Sequence, residues 1–302
     1  MIEHTTPRLR EELVGNEGLK ELANDPAFKV PSAAAKDQLW TEAACHVIRQ
    51  RKPNLLLIHM LLTDGLHHKY GPQTPAGYAG LAVADAQVRE VLRALDDAGI
   101  RKNTTVFIVA DHGFATAAKL MQPNLLLKKA GLLKADLLKV VSARVQAVSE
   151  GGTAMVYCTD PATAIQDRAT AEELFRGKEG IADIIQPDRF EQFGFPQPDK
   201  NRQMADMVLV AKPGYGFANS TSGEDFVIPI VPGGPVNLGY HGYISTNPKM
   251  NAIFIAAGRG IKPGVKLPVI ENINIAPTAA ALLGIELPST DGKAISEILA
   301  NQ

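Results

Sequence analysis

Apolar residues along this chain follow two rhythms. From Asp37 to Lys52, Leu39, Trp40, Ala43, Ala44, Val47 and Ile48 recur at spacings of three and four, which lays them on one face of a helix. Asp37 stands where an N-cap belongs, and Arg49, Arg51 and Lys52 suit the negative end of the helix dipole. Pro53 ends this pattern. Leu55 to Leu62 then form an unbroken apolar run between Pro53 and Gly65. A run that short, without alternation, predicts a strand buried on both faces of a parallel sheet. Ala76 to Ala98 returns to helical spacing through Leu81, Ala84, Val88, Val91, Leu92 and Leu95, with Gly99 at the C′ position. Thr104 to Ala110 predicts a second buried strand. Strand, helix and strand in this order make a βαβ unit, whose strands lie parallel as neighbours or near neighbours.

From about Leu120 to Leu238 the texture changes. Short apolar strands such as Met155–Cys158 and Met207–Val210 alternate with turns rich in Gly and Pro, a polar helix lies near Ala169 to Lys178, and Phe217 to Phe226 reads as a flexible loop. After Gly242, Ala252 to Ala257 predicts a third buried strand. Ala276 to Leu283 predicts a short helix, with Pro277 near its start and Gly284 just past its end. The predicted class is α/β, a mainly parallel sheet flanked by helices. Its core comes from residues 1–119 and 239–302, with an α+β insertion or cap over 120–238.

Composition narrows the function classes. The net charge is -1, so the clustered excess of Lys and Arg that a nucleic-acid-binding surface needs is missing. No apolar run reaches the length of a membrane span. Met1 to Arg10 include Glu3, His4 and Arg8 without an apolar h-region, so no signal peptide is visible and the compartment stays open. The two cysteines, Cys45 and Cys158, make neither a disulfide framework nor a thiolate zinc site, and they are expected to be buried free thiols.

Acids and histidines collect where the predicted strands end. Asp64 and His68 follow the first strand at i, i+4, on one face if the chain turns helically there. Asp111 and His112 follow the second strand directly, and His241 sits in a Gly239–Tyr243 turn before the third. Ligands of open α/β sheets bind beyond the carboxyl ends of the strands, so these groups are expected to share one cleft. Carboxylate and imidazole together suit Zn²⁺ and similar metals, and two metals about 4 Å apart can stabilise attacking and leaving oxygens at phosphorus. An isolated Asp-His pair is more often a loop cap than a metal site; two pairs at two strand ends are more specific. His67 rivals His68, but helical spacing favours His68. His59 is expected to be a core histidine, and His4 and His46 surface or helix-face residues.

Asp64-Gly65-Leu66-His67-His68-Lys69-Tyr70-Gly71-Pro72 resembles a motif of the type I phosphodiesterases and nucleotide pyrophosphatases of the alkaline phosphatase superfamily. Thr104 to Phe114, ending Ala110-Asp111-His112-Gly113-Phe114, is similar to the same family's strand and Asp-His-Gly signature. His241-Gly242, with Met250 and Ile253 to Gly258, resembles its third metal motif, and Asn274 to Gly284 its C-terminal helix. The resemblance runs from about Asp37 to the end. It implies two Zn²⁺ ions, other divalent metals being possible: one held by Asp64, His68 and His241, the second by Asp111 and His112. It also implies a small phosphodiester or nucleotide-like substrate, and it leaves the oligomeric state open.

The family's nucleophile, a Thr or Ser, and a further Asp for the second zinc belong upstream of every matched motif. The nucleophile is therefore not expected in this chain, which reads as the downstream part of a longer enzyme with poor activity alone. Thr5 and Thr6 before Pro7 are the only early candidates, and an ordinary helix cap is the competing role. Alternatives are a phosphonate or sulfate ester hydrolase or a phosphomutase of the same superfamily, or a non-catalytic metal-binding fragment. The long separation of His112 from His241 speaks against the mutases.

Overall fold

The computed structural model describes residues 6–16, 19, 32–136 and 139–300. In chain order the described helices are α1 (Pro7–Gly15), α2 (Ala33–Arg51), α3 (Leu62–Tyr70), α4 (Pro75–Asp97), α5 (Pro123–Lys129), α6 (Ala164–Phe175) and α7 (Ile275–Leu283). The strands are β1 (Thr105–Val109), β2 (Ala115–Thr116), β3 (Lys119–Met121), β4 (Leu133–Asp136), β5 (Lys139–Ala143), β6 (Val145–Ser149) and β7 (Thr153–Cys158). There follow β8 (Ile181–Ile185), β9 (Met207–Ala211), β10 (Tyr215–Phe217), β11 (Val227–Pro229), β12 (Gly239–Tyr240) and β13 (Phe254–Gly258). The chain forms two compact units: Met1–Gly65 with Tyr78–Asp111 and Ile253–Gln302, and Leu66–Gly77 with His112–Ala252.

The first unit is built on helix packing. Cys45 and Ile48 of α2 meet Ala94 and Leu95 of α4, and Val106 of β1 packs against that cluster. Leu13 of α1 packs on Ala43, while the Glu12 carboxylate takes both His46, at 3.0 Å, and the Arg51 guanidinium. The α2 helix starts four residues before the predicted boundary, because Ser32 accepts the Ala35 amide at 3.2 Å and is the cap. Asp37 is therefore not its N-cap; it lies inside the helix and is buried. Burial pushes the Cys45 thiol up to about 11, and the half-buried Cys158 to about 11 as well, so both are protonated free thiols near neutrality.

Three expectations for this unit are corrected. Leu55 to Leu61 lie in no helix or strand, Leu62 opens α3, and Leu55 and Leu57 are 57% and 84% exposed. His59 is exposed rather than a core histidine. An apolar run shows what a segment could bury; a strand also needs a neighbour for its amides and carbonyls, and no described strand pairs here. The predicted parallel βαβ pairing is accordingly absent among the described strands. β1 instead pairs antiparallel with β13, with Phe107 opposite Ala256.

The second unit carries the larger apolar core. Its four-stranded sheet has the order β6-β7-β9-β8, antiparallel throughout. Every residue of β9 is buried, and Val145, Val156, Met207 and Leu209 pack with Leu127 of α5 and Phe175 of α6. The buried Asn124 amide is satisfied on both sides by Ala147, donating to its carbonyl at 2.8 Å and accepting its N–H at 2.9 Å. A smaller sheet orders β10-β3-β11, and β10–β3 is the only parallel pairing among the described strands. The α/β class holds, with pairings that are mostly antiparallel. The strands expected at Met155–Cys158 and Met207–Val210 are β7 and β9, and the polar helix near Ala169 is α6.

Candidate metal centre

Two strands of two residues each assemble this site. β12 pairs antiparallel with β2, Gly239 opposite Thr116 and Tyr240 opposite Ala115. That pairing lays the chain just after Asp111-His112-Gly113-Phe114 beside the chain just before His241. The Gly113 amide donates to Met250 at 2.9 Å, and the Gly152 amide to the His241 carbonyl at 2.8 Å, fixing both turns. Gly242, at φ +69°, occupies the left-handed region, and a Cβ there would overlap the Glu150 carbonyl. A Cβ on Gly239 would overlap the His67 carbonyl.

Three imidazoles of the second unit come together as a result. The His112 and His241 rings stack with centroids 3.8 Å apart and planes 17° from parallel. The His68 and His241 centroids lie 4.9 Å apart. Phe114 presents its ring to His68, His112 and His241 edgewise at 5.0–5.4 Å. Sequence reasoning did not single out Phe114; an aromatic residue two positions after an Asp-His pair was the available signal.

Hydrogen bonds define the histidine tautomers. His68 Nδ1 lies 2.9 Å from the Gly239 carbonyl, and His112 Nδ1 lies 3.0 Å from the Gly113 carbonyl. A carbonyl only accepts, so each Nδ1 is the donor, and in the neutral ring that tautomer puts the lone pair on Nε2. The His68 carbonyl in turn accepts the Leu238 amide at 2.8 Å, tying the C-terminal half of α3 to the β12 segment.

Asp64 rides on α3 one turn before His68, the i, i+4 spacing expected from sequence. One donor atom from each of Asp64, His68 and His241 lies within 4.8 Å of the others, and all three residues are half-buried. His67 is not in this group; its ring meets Phe114 at 5.2 Å and packs over Gly77. Asp111 is exposed at the end of the β1 segment, its backbone carbonyl accepting the Asn272 side-chain NH2 at 3.0 Å, and it too is outside the group. Thr6 is exposed at the N-cap position of α1, with Pro7 at the first helical position and no side-chain cap hydrogen bond. Thr5 and His4 lie outside the described residues. Behind the site Tyr243 donates to the Tyr215 carbonyl at 2.7 Å, and burial pushes its hydroxyl up to about 12.

A donor set of one carboxylate oxygen and two imidazole nitrogens matches the three protein ligands typical of catalytic zinc, with a position to spare.

Comparisons with known proteins place the chain in a family. An alkaline phosphatase, PafA, of Elizabethkingia meningoseptica is 23% identical over 270 residues, covering 82% of this chain and 46% of that protein. Human ectonucleotide pyrophosphatase/phosphodiesterase 5 superposes with a TM-score of 0.65 at 17% identity, over 86% of this chain and 63% of that one. The murine protein, in an inactive variant bound to AMP, gives 0.67 at 15% identity and the same coverage. This chain shares their fold and spans about half the length of the curated relative. The sequence profile of the type I phosphodiesterases and nucleotide pyrophosphatases matches residues 9–244, which include Asp64, His68, Asp111, His112 and His241. The chain belongs to the type I phosphodiesterase/nucleotide pyrophosphatase family, within the alkaline phosphatase superfamily.

Proposed function

We propose that this chain acts in hydrolysis of phosphodiester or pyrophosphate bonds in small, nucleotide-like substrates, with zinc held by Asp64, His68 and His241. Asp111 and His112 contribute to a second divalent site in this reading. The observation that carries it is the grouping of one carboxylate and two imidazole donors within 4.8 Å, drawn from two motifs far apart in the chain. Family membership supports the phosphoester class, and the murine relative bound to AMP supports a nucleotide-like substrate.

When bound, zinc supplies Lewis-acid polarisation of phosphoryl oxygens and neutralises their charge. The protein's own groups prepare for that. The Gly239 and Gly113 carbonyls hold the proton of His68 and His112 on Nδ1 and aim Nε2 away from it. Asp64 brings the negative charge that separates this site from a plain imidazole cluster. Phe114 braces three rings at once, so none is free to turn.

The test is release of nitrophenol from a bis-nitrophenyl phosphodiester, with AMP binding measured in parallel. Zinc should raise both signals, and a chelator or His241→Ala should remove both. Indifference to chelator and to His241→Ala would sink the reading. Faster turnover of a nitrophenyl sulfate than of the phosphodiester would move the chain to the sulfate ester hydrolases of the same superfamily.

A further inference from the structure

Asp37 sits on α2 with 1% of its surface exposed, far in sequence from every motif named above. A buried carboxylate is costly unless its oxygens are hydrogen-bonded. Both are: Oδ1 accepts the Leu61 amide and Oδ2 the Leu62 amide, each at 2.8 Å. Those amides belong to the residue before α3 and to its first residue, and they are among the N–H groups that a helix leaves without internal partners. The carboxylate therefore caps a helix other than its own. It also places a negative charge at that helix's positive end.

The capped helix is the one that carries Asp64 and His68. Asp64 is its third residue, so the clamp lies one turn or less from the first ligand of the candidate centre. The segment leading into α3 gives little other support. Leu55, Leu56 and Leu57 are 37–84% exposed, and no described strand pairs with them. Without Asp37, the start of α3 would hang on an exposed, unpaired stretch of chain.

We propose that Asp37 is a positioning residue for the metal centre, fixing the first turn of α3 so that Asp64 and His68 meet the ion in register. This rests on the reading that Asp64, His68 and His241 are metal ligands. Residues that orient metal ligands through such bonds typically change metal affinity by about 10–100-fold when replaced. Linkage also makes the effect reciprocal: an anchor that favours metal binding is itself favoured by bound metal.

The experiment uses the full 302-residue chain and zinc alone as probe. Zinc affinity is measured by competition with a chromophoric chelator, and amide exchange is followed by mass spectrometry on peptides spanning 58–66 and on α2. Asp37→Asn, which keeps the volume and one acceptor, should bind zinc about 10–100-fold more weakly. Exchange should quicken at Leu61 and Leu62 while α2 keeps its wild-type protection; Asp37→Ala should do the same to a greater degree. Unchanged zinc affinity in both variants overturns the proposal. So does a loss that comes with exchange throughout α2, because that marks a merely structural carboxylate. Should neither variant fold, the wild-type chain still decides: zinc must slow exchange at Leu61 and Leu62, and equal rates with and without zinc overturn the proposal. Failure of the ligand reading itself looks different, since wild type and His241→Ala would then bind zinc alike.

Discussion

His68 and His112 each spend one ring nitrogen on a backbone carbonyl, and that small fact shapes the chemistry open to this chain. A histidine anchored through Nδ1 offers Nε2 to a metal without losing rotamer freedom on binding. His241→Ala should therefore abolish most zinc binding, and protein purified without added zinc should carry closer to one equivalent than two, as metal analysis by mass spectrometry would show. Two tightly held equivalents would mean that Asp111 and His112 find further ligands within the chain. Phe114→Ala should weaken zinc binding about 10-fold with the chain still folded, since it removes the brace on three imidazoles but no donor. Thr6→Ala should leave any zinc-dependent turnover unchanged, because Thr6 stands exposed at the cap of α1. At this scale the sequence was readable where spacing carries geometry. Asp64 and His68, four apart, predict one helical face, and α3 delivers it. Phe114 and Asp37 were not readable as site residues, because each acts through partners that only the fold brings near.

At the scale of elements, two short strands position His241 beside His112, and glycine makes that possible. Gly242 takes a backbone conformation that disfavours a side chain and lies against the Glu150 carbonyl. Gly242→Ala should destabilise the protein by on the order of 2 kcal/mol or more. A loss of zinc affinity should accompany it, because the strain falls on the neighbour of a proposed ligand; calorimetry and chelator competition would show the two together. A second element-scale prediction concerns β8. The hydrogen bond from the Arg189 guanidinium, outweighing partial burial, holds the Asp183 carboxyl below its ordinary value. A folded-state value below the unfolded one stabilises above the unfolded value and loses that stabilisation as pH falls through the folded one. Asp183→Asn should thus cost stability at pH 7, and the gap to wild type should close below about pH 4 in urea titrations. The second half of α4 and β9 were legible because Val91, Leu92 and Leu95 pack in a core and every residue of β9 is buried, whereas Leu81 near the start of α4 is exposed. Leu55 to Leu61 were misread because a partner strand, not apolarity, decides whether a strand forms.

For the whole molecule, division into two compact units makes a single unfolding free energy an inappropriate quantity and offers a test instead. Of the proposed ligands, His68 and His241 belong to the second unit, with His112 and Phe114, and Asp64 to the first; the second unit's core of Leu127, Val145, Val156, Phe175 and Leu209 is its own. The first unit rests on a separate cluster of Cys45, Ile48, Ala94 and Leu95. A ligand stabilises only what it binds, by about 2.7 kcal/mol when its free concentration is 100 times the dissociation constant. For a unit of this size, that corresponds to an upward shift of about 5–10 °C in its transition. Scanning calorimetry with and without zinc, read alongside amide exchange during heating, should show β6, β7 and β9 protected to higher temperature. Peptides from α4, which carries no proposed ligand, should shift less than these. An equal shift of both sets would show that the units unfold as one cooperative body. A shift confined to α2 and α4 would place the ion away from His68 and His241 and overturn the proposed centre. The informative comparison is His241→Ala at the same zinc concentration. It keeps both cores intact and removes one donor, so the zinc-dependent shift of the second unit should collapse while its transition without zinc stays within about 2 °C of wild type.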